Sequence, residues 1–188
     1  MILHSYWRSG TSYRTRIALN LKGVAYETRG VDLRTQAHKA PDYLLANPQG
    51  MVPALDIGGE VLTQSPAILE WLEEVHPEPP LLPKAATARA QVRAMAALIG
   101  CDIHPLNNLR VLGAVRGLGA DQAGVDAWAG RWITAGFEAL EQLVVRHGQG
   151  WCFGEAPTLA DCYLIPQLYS ARRFNVPLDA FPRLLEVE

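Results

Sequence analysis

The first third of the chain alternates between short apolar stretches and segments with helical spacing. Residues 2–7 and 25–33 have the length and composition of β-strands. Residues 12–23, between them, predict a helix because their apolar residues recur every three or four positions, and Gly23 suits its C-terminal end. The apolar residues that share one face of this helix are Tyr13, Ile17, Ala18 and Leu21.

The same alternation continues for another forty or so residues. The predicted elements are, in order, a weakly helical connection at 38–47, strands at 52–57 and 60–64, and a helix at 65–76. Gly58-Gly59 separates the two strands and indicates a hairpin. The helix is predicted to have Ser65 as its N-cap and Pro66 as its first residue, where the missing N–H of proline costs nothing.

A proline-rich segment, PEPPLLPKA at residues 77–85, ends this alternation. Prolines end helices and stiffen connections, so we place a domain boundary here. The order β-α-β-(α)-β-β-α before it is that of a thioredoxin-like domain. The predicted organisation is an α/β thioredoxin-like N-terminal domain at 1–76, a linker at 77–85 and an all-α, helical C-terminal domain at 86–188.

The spacing of the C-terminal part is helical throughout. Residues 86–103 predict an alanine-rich helix that Pro105 should kink or break. A second long helix is predicted from about Asp121 to Arg146, and a third begins at PTLADCYL. Thr158 and Asp161 in that stretch form a T-x-x-D capping box, which indicates a helix start rather than a function.

Composition narrows the class of function. The chain has 188 residues, 49% of them hydrophobic, and a formal net charge of −2, so we expect neither nucleic acid nor a membrane as partner. The N-terminal residues lack a signal-peptide pattern, and no window approaches the roughly 18 apolar residues of a membrane span. Its three scattered cysteines and five scattered histidines predict buried thiols, a cytoplasmic location and no metal site.

Two features favour an extended peptide as ligand. At Val52-Pro53 a proline follows an apolar residue and opens a strand; in thioredoxin-like domains such a proline is usually cis, which leaves neighbouring backbone groups free to pair with a peptide. The helix that begins at Gln64-Ser65 offers free N–H groups and the positive end of its dipole to a carboxylate. The alternative is that Ser65 is a plain N-cap with no ligand.

Ser9 lies where the first predicted strand gives way to the first helix. A hydroxyl at that point can donate a hydrogen bond to an anion, and the helix dipole adds to its effect. A thiol bound there would have its pKa lowered, and the thiolate is the nucleophilic form. The alternative is that Ser9, Thr11 and Ser12 are merely competing caps.

Four segments resemble zeta-class glutathione transferases. SGTSYRTRIAL resembles the family signature SSCSWRxRIAL, NPQGMVPALD and LTQSPAILEWL are similar to its glutathione-binding segments, and APTLADCYLIPQ resembles a capping segment of its helical domain. They occur in the expected order over nearly the whole chain. WRSGTS together with CDIHPLNN is particularly similar to bacterial glutathione-dependent maleylpyruvate isomerases, which are relatives of the maleylacetoacetate isomerases.

The resemblance implies glutathione as cofactor and a role for each matching residue. Ser9 would donate a hydrogen bond to the glutathione sulfur and be catalytic together with Arg8 and Arg173. These two arginines, with Arg110, would bind the carboxylates of the substrate. The other glutathione contacts implied are His38, Gln49, Val52 with the adjacent Pro53, Gln64, Ser65, His104 and Asn108. The last two would lie on the long helix and line the site or reach it from a partner subunit.

The reaction implied is a cis–trans isomerisation. The double bond of a maleyl diacid cannot rotate until a thiolate adds to it; when the thiolate leaves after rotation, the fumaryl isomer remains, a step of aromatic-compound or tyrosine and phenylalanine catabolism. Arginine suits the substrate because its planar fork matches a carboxylate. The alternatives are a general glutathione transferase acting on small electrophiles and a non-catalytic binding module. Retention of Ser9, Pro53, Gln64 and Ser65 argues against the module.

Three departures from the family pattern bear on this prediction. Gly10 and Thr11 stand where the family has serine and cysteine, which argues against reactions that need that cysteine, such as reductive dehalogenation. Leu109 stands where we expect a basic residue in the maleylpyruvate branch. Relatives usually continue through one more helix after the position of LLEVE.

The sequence also predicts where the other arginines lie and whether the chain forms an oligomer. We expect Arg14 and Arg16 on the helix surface or paired with acids. In SARRF, Arg173 should face the substrate and Arg172 solvent or a surface acid, because neighbours on a helix point about 100° apart. The apolar, alanine-rich segment 86–116 predicts a homodimer.

Overall fold

The computed structural model describes all 188 residues, and they separate into two compact units at residues 1–81 and 82–188. The division falls inside the proline-rich segment 77–85. Each unit buries large apolar side chains of its own; examples are Leu3, Leu55 and Ile68 in the first, and Ile99, Ile133 and Phe137 in the second. No helix has both the length and the apolar composition that crossing a membrane requires.

The first unit follows the predicted order of strands and helices. Its elements are β1 (Ile2–Ser5), α1 (Gly10–Leu21), β2 (Glu27–Gly30), a 3₁₀ turn (Ala37–Lys39), α2 (Pro41–Ala46), β3 (Ala54–Asp56), β4 (Val61–Thr63) and α3 (Ser65–Val75). Gly23, with φ of 64°, follows α1 as predicted for a helix C-terminus. The predicted Gly58-Gly59 hairpin is confirmed, and both glycines have positive φ, a conformation that glycine adopts without steric cost.

The four strands form one sheet in the order β2-β1-β3-β4. β1 runs parallel to β2 and antiparallel to β3, where Leu3 lies opposite Leu55, and β3 pairs antiparallel with β4. The central strands β1 and β3 carry the buried residues, while all four residues of the edge strand β2 are exposed. This mixed sheet with its helices confirms the predicted thioredoxin-like fold.

Helix α1 buries a different face from the one that its apolar spacing predicts. Of the residues on its apolar face, Ala18 is buried, but Tyr13, Ile17 and Leu21 are only half-buried. The buried residues are Ser12, Arg14, Thr15, Ala18 and Leu19. On this face the Thr15 hydroxyl donates to the Thr11 carbonyl at 3.1 Å, whereas the buried Oγ of Ser12 has no hydrogen-bond partner.

A buried ion pair joins the C-terminal ends of α1 and α3. The Nζ of Lys22 lies 2.5 Å from a carboxylate oxygen of Glu73 and also donates to the carbonyls of His76 and Pro79. The Glu73 carboxylate accepts a further bond from the N–H of Leu81. Because both charges are paired and hydrogen-bonded, burying them is tolerated, and they attach the start of the proline-rich segment to the first unit.

The second unit is helical, as predicted. Its elements are α4 (Ala86–Ala97), a π-helical turn (Leu98–Ile103), a 3₁₀ turn (His104–Asn107), α5 (Leu109–Gly117), α6 (Gln122–His147), α7 (Leu159–Arg173) and α8 (Pro182–Glu186). The prediction that Pro105 breaks the first of these helices is confirmed, since proline lacks an N–H and its ring collides with the carbonyl four residues earlier. Asp161 accepts hydrogen bonds from Thr158 at the start of α7, so the predicted capping box is confirmed as well.

Candidate active site

Ser9 caps the N-terminus of α1. Its backbone is extended, with φ of −73° and ψ of 121°, and its Oγ accepts a hydrogen bond from the N–H of Ser12 at 3.2 Å. The side chain is half-buried, and its Oγ lies 3.0 Å from the Oγ1 of Thr11. Ser9 therefore does serve as a cap, but its own hydroxyl proton remains available for a second partner.

The Thr11 hydroxyl connects Ser9 to Val52. Thr11 Oγ1 donates to the Val52 carbonyl at 2.9 Å, and a threonine hydroxyl has a single proton. In the bond between the two hydroxyls Ser9 is therefore the donor and Thr11 the acceptor. Rotation of the Ser9 hydroxyl would allow it to donate the same hydrogen bond to an anion placed beside it. Nothing in the sequence predicts this link, because Thr11 and Val52 are 41 positions apart.

Val52 lies in a loop that several hydrogen bonds hold in place. The Val52–Pro53 peptide bond is cis, as predicted, and the Val52 side chain is buried against Tyr6, Val31 and Tyr43. Just before it, the Met51 carbonyl accepts bonds from the Tyr43 hydroxyl and from a side-chain amide. That second donor is Asn47, at 2.7 Å. The backbone next to the cis proline is therefore positioned by the protein itself.

Glycine is required at position 50 of the same loop. Gly50 has φ of 59°, and a Cβ there would lie 2.8 Å from the His38 carbonyl and 2.9 Å from side-chain atoms of Leu44 and Lys39. This close approach brings the backbone of His38 beside the loop that carries Gln49. The Nδ1 of His38 is buried without a hydrogen-bond partner, and burial, followed by the nearby Lys39 charge, lowers the pKa of His38.

Helix α3 begins one residue earlier than the sequence predicts. Ser65 is the first helical residue, and Gln64 is the N-cap, with φ of 65° and ψ of 112°. The Gln64 side chain does not cap the helix; its Nε2 donates to the Oε1 of Gln49 at 2.5 Å. Pro66 lies in the first turn as predicted, and the side chains of Pro66 and Ala67 are exposed. The free N–H groups of this turn can therefore bind an anion.

We expected Arg14 and Arg16 on the helix surface or paired with acids, and neither of them is an exposed surface residue. Arg14 is only 2% exposed, and its Nη1 donates to the Ser65 Oγ at 3.0 Å. Arg16 is half-buried and donates to the Ser5 hydroxyl at 2.9 Å and to the Trp7 carbonyl. Helical spacing does indicate that Arg14 is buried, because Arg14 lies four residues before the buried Ala18 and so shares its face.

Arg8 adjoins Ser9 and stacks on an exposed aromatic ring. Its guanidinium carbon lies 5.5 Å from the ring centre of Trp7, whose side chain is 63% exposed. Such a cation–π contact restrains the arginine without neutralising its charge. A positive group is therefore held immediately before the Ser9 cap.

The remaining predicted residues belong to the second unit. His104 begins the 3₁₀ turn and Asn108 is the N-cap of α5, so the prediction that they lie on the long helix is wrong, because the helix ends before Pro105. Arg110 is exposed in the first turn of α5. Arg173, at the end of α7, is exposed and lies with its guanidinium over the ring of Phe174.

Arg172 pairs with a surface acid, as predicted. Both of its terminal nitrogens donate to the carboxylate of Glu188, and this pair raises the pKa of the arginine. The two neighbouring arginines thus differ in their surroundings, since the guanidinium of Arg173 stacks on an aromatic ring.

The first unit by itself offers three groups suited to a thiol-containing peptide with a free carboxylate. A hydroxyl at a helix N-terminus can stabilise a thiolate, the backbone beside a cis proline can pair with an extended chain, and the α3 N-terminus can bind a carboxylate. The residues that provide them are Ser9, Val52 and Ser65. The structure brings Ser9 into contact with Val52 through Thr11, and Gln49 into contact with Gln64.

Comparison with known proteins agrees with this chemistry. Residues 8–75 match the glutathione S-transferase N-terminal domain, and residues 122–187 match the glutathione S-transferase C-terminal domain. The chain is 54% identical to a maleylpyruvate isomerase of a Ralstonia species, covering 100% of this chain and 90% of the relative. It is 53% identical to a maleylacetoacetate isomerase of Pseudomonas aeruginosa, with 100% and 89% covered.

Solved structures of glutathione S-transferases are also similar to this chain. A holo structure of maleylpyruvate isomerase, described as a bacterial zeta-class glutathione S-transferase, has a TM-score of 0.97 at 54% identity and covers 100% of this chain and 90% of its own. A maleylacetoacetate isomerase from Anaeromyxobacter dehalogenans with bound glutathione has a TM-score of 0.89 at 44% identity, with 99% and 87% covered. The chain described here belongs to the glutathione S-transferase family.

Proposed function

We propose that this protein is a glutathione-dependent cis–trans isomerase that converts a maleyl diacid, maleylacetoacetate or maleylpyruvate, into its fumaryl isomer. Relatives with both names are more than half identical over the whole chain. The observation that carries the proposal is the combination in the first unit of a hydroxyl cap at Ser9 with the uncapped helix N-terminus at Ser65. The reaction would belong to aromatic-compound or tyrosine and phenylalanine catabolism.

Glutathione fits the residues of the first unit. Its γ-glutamyl carboxylate would take the α3 N-terminus and the Ser65 hydroxyl, next to Gln64. Its cysteinyl backbone would pair with the main chain of Val52 beside Pro53; the Val52 carbonyl already accepts from Thr11, but a carbonyl oxygen has two lone pairs. The residues proposed for its glycyl end are His38 and Gln49.

Ser9 would hold the sulfur in its ionised form. When bound, glutathione supplies the thiolate that adds reversibly to the double bond of the substrate and so permits rotation. The Ser9 hydroxyl would turn from Thr11 towards the sulfur and donate to it, and the positive end of α1 would add to this stabilisation. Ser12 keeps its bond to the Ser9 Oγ during this change, because that bond uses a lone pair and not the proton.

Arginines would recognise the two carboxylates of the substrate. We propose Arg8 and Arg173 for this role, with Arg110 as a further contact. Arg8 and Arg173 each lie with the guanidinium over an aromatic ring, a contact that restrains the side chain. His104 and Asn108 are proposed to contact glutathione from the same subunit or from its partner.

A general glutathione transferase is the second candidate. It would use the same sulfur site on electrophiles that lack two carboxylates. The large apolar surface of Trp7, exposed beside Ser9, favours it, as does the exposed Leu109 in a position where we expected a basic residue.

The isomerase is tested by replacing Arg173 with methionine. Removal of a charge-assisted bond to a substrate carboxylate should lower kcat/KM for maleylpyruvate or maleylacetoacetate by about ten- to 150-fold. The value for an uncharged electrophile such as chlorodinitrobenzene should change little. Arg172→Met is the matched control, because Arg172 pairs with Glu188, and it should alter neither reaction. Equal losses on both substrates would favour the general transferase instead.

Each of the two domains has a proposed role, and the protein is proposed to form a homodimer. Residues 1–76 would bind glutathione, and residues 86–188, after the linker 77–85, would bind substrate and form a homodimer in the cytoplasm. The segment 86–116 supports the dimer because it exposes small and apolar residues, among them Ala94, Ala97 and Leu109. Light scattering at micromolar concentration should give the mass of a dimer, and a monomer mass would contradict this part of the proposal.

A further inference from the structure

Arg14 is a buried charged residue in contact with a residue of the candidate glutathione site. It belongs to α1 and is 2% exposed, and its Nη1 lies 3.0 Å from the Oγ of Ser65, which is also 2% exposed. Burying a guanidinium is costly unless its N–H groups are hydrogen-bonded, so such a contact is not incidental. The bond joins α1, which begins at the Ser9 cap, to the first residue of α3.

The chemistry of the two groups sets the direction of this hydrogen bond. A guanidinium can donate but never accept, so Ser65 must be the acceptor. A serine hydroxyl has one proton, and Arg14 cannot take it. The proton of Ser65 is therefore left for another acceptor, and the contact with a cation makes the hydroxyl a stronger donor.

The surroundings of Ser65 suit a carboxylate as that acceptor. The helix that Ser65 begins has no side-chain cap, because Gln64 bonds to Gln49 instead. The N–H of Ile68 is satisfied by the Gln64 carbonyl, which leaves the N–H groups before it without an intrahelical partner. A carboxylate there would accept from the backbone and from the Ser65 hydroxyl together.

We propose that Arg14 is a positioning residue that acts through Ser65 and directs the Ser65 hydroxyl to donate to the α-carboxylate of the γ-glutamyl residue of glutathione. This inference rests on the proposed function. Arg14 does not touch the ligand; it removes the orientations in which the Ser65 proton points into the protein. A side chain able to accept at position 14 would restore those orientations and weaken recognition of the carboxylate.

The test compares two tripeptides by isothermal titration calorimetry. Glutathione carries the α-carboxylate, and 4-aminobutyryl-cysteinylglycine lacks it, so the ratio of their dissociation constants measures recognition of that group alone. Arg14→Lys keeps a side chain that only donates and should leave the ratio close to that of the wild type. Arg14→Gln introduces an acceptor and should reduce the ratio about tenfold, the scale of one hydrogen bond to a charged group.

Controls separate positioning from a structural role. Arg16→Gln removes an arginine of the same helix that bonds to another serine, Ser5, and it should leave the ratio unchanged. In a Ser65→Ala background, Arg14→Gln should no longer alter the ratio. If Arg14→Gln does not fold, the comparison of Arg14→Lys with Ser65→Ala decides: the proposal requires a wild-type ratio in the first and a reduced one in the second.

The outcomes that overturn the inference differ from those that overturn the proposed function. Equal weakening of both tripeptides by Arg14→Gln, with an unchanged ratio, would mean that Arg14 only supports the fold. That result would leave the glutathione site intact. A wild-type protein that binds neither tripeptide, or both equally well, would contradict the proposed glutathione site and with it the role of Arg14.

Discussion

The N-termini of α3 and α7 use their hydrogen-bonding groups in opposite ways. At α7 the carboxylate of Asp161 accepts from the N–H and the hydroxyl of Thr158, at 2.6 and 2.7 Å, and from the N–H of Cys152 at 2.8 Å. At α3 no side chain caps the helix, and the Gln64 N-cap has φ of 65°. One terminus supplies its own carboxylate, whereas the other leaves its donors for a carboxylate from elsewhere.

This difference separates the structural helix start of α7 from the proposed binding site at α3. Burial of the first turn of α7 leaves no room for a ligand, so its donors must be satisfied within the chain. The first turn of α3 is partly exposed, so water can satisfy the same groups until an anion replaces it. Side chains in the two turns should therefore affect different properties: stability at α7 and glutathione affinity at α3.

The largest effect is expected at the closed terminus. Asp161→Ala leaves three buried donors without an acceptor and should lower the free energy of unfolding by about 3–5 kcal/mol, measured by urea denaturation. Asp121→Ala is the matched control, because Asp121 caps the exposed start of α6 through a single bond to Gly124 and should cost about 1 kcal/mol. Equal costs would mean that closing the α7 terminus has no special role. If the Asp161→Ala variant remains folded, it should bind glutathione with unchanged affinity.

The N-terminus of α1 has a side-chain cap, Ser9, and the same side chain is proposed to bind an anion. Ser9→Ala should therefore affect activity. Loss of a hydrogen bond to a charged sulfur should lower kcat/KM at neutral pH by about ten- to 150-fold, or 1.5–3 kcal/mol. In the proposed mechanism the Ser9 hydroxyl favours the thiolate and so lowers the pKa of the bound thiol. Its removal would raise that pKa and should move the pH–rate profile to higher pH. Thr11→Ala, which removes a neighbouring hydroxyl, should have a smaller effect. A larger loss from the Thr11 variant would show that Thr11, and not Ser9, donates to the sulfur.

The smallest effect is expected at Gln64, where the open terminus holds a non-glycine residue at positive φ. Gln64→Gly should raise the free energy of unfolding by about 1 kcal/mol, because glycine adopts this conformation without strain. The same variant should weaken glutathione binding. Gln64→Ala is the control, since it loses the amide but keeps the unfavourable φ, so it should weaken binding without a gain in stability. A stabilised glycine variant with normal affinity would contradict the proposed role of Gln64.

Much of the fold could be predicted from residues close together in sequence. The strand and helix order of the first unit, the Gly58-Gly59 hairpin and the break at Pro105 depend on backbone preferences of single residues or pairs. The T-x-x-D box of α7 is another local signal. These predictions hold because the responsible interactions span only a few residues.

The errors share a physical cause as well. Ser65 looks like an N-cap because serine usually caps with its own oxygen, but here that oxygen accepts from Arg14, 51 residues earlier. Arg14 and Arg16 look like surface residues because arginine is usually exposed, yet Arg14 donates to one serine hydroxyl, and Arg16 donates to another and to a carbonyl. Apolar spacing also gave the wrong buried face of α1, since it does not count polar residues that are hydrogen-bonded in the core.

The sequence alone determined the class of the fold, the position of Ser9 at a helix start, the proline after Val52 and the resemblance to zeta-class glutathione transferases. Each depends on local propensity or on motifs that can be read along the chain. Only the tertiary structure decided that Thr11 joins Ser9 to Val52, that Gln49 meets Gln64, and that Arg14 holds Ser65. Those contacts connect residues far apart in the chain, and the direction of a hydrogen bond between them depends on which donors and acceptors folding brings together.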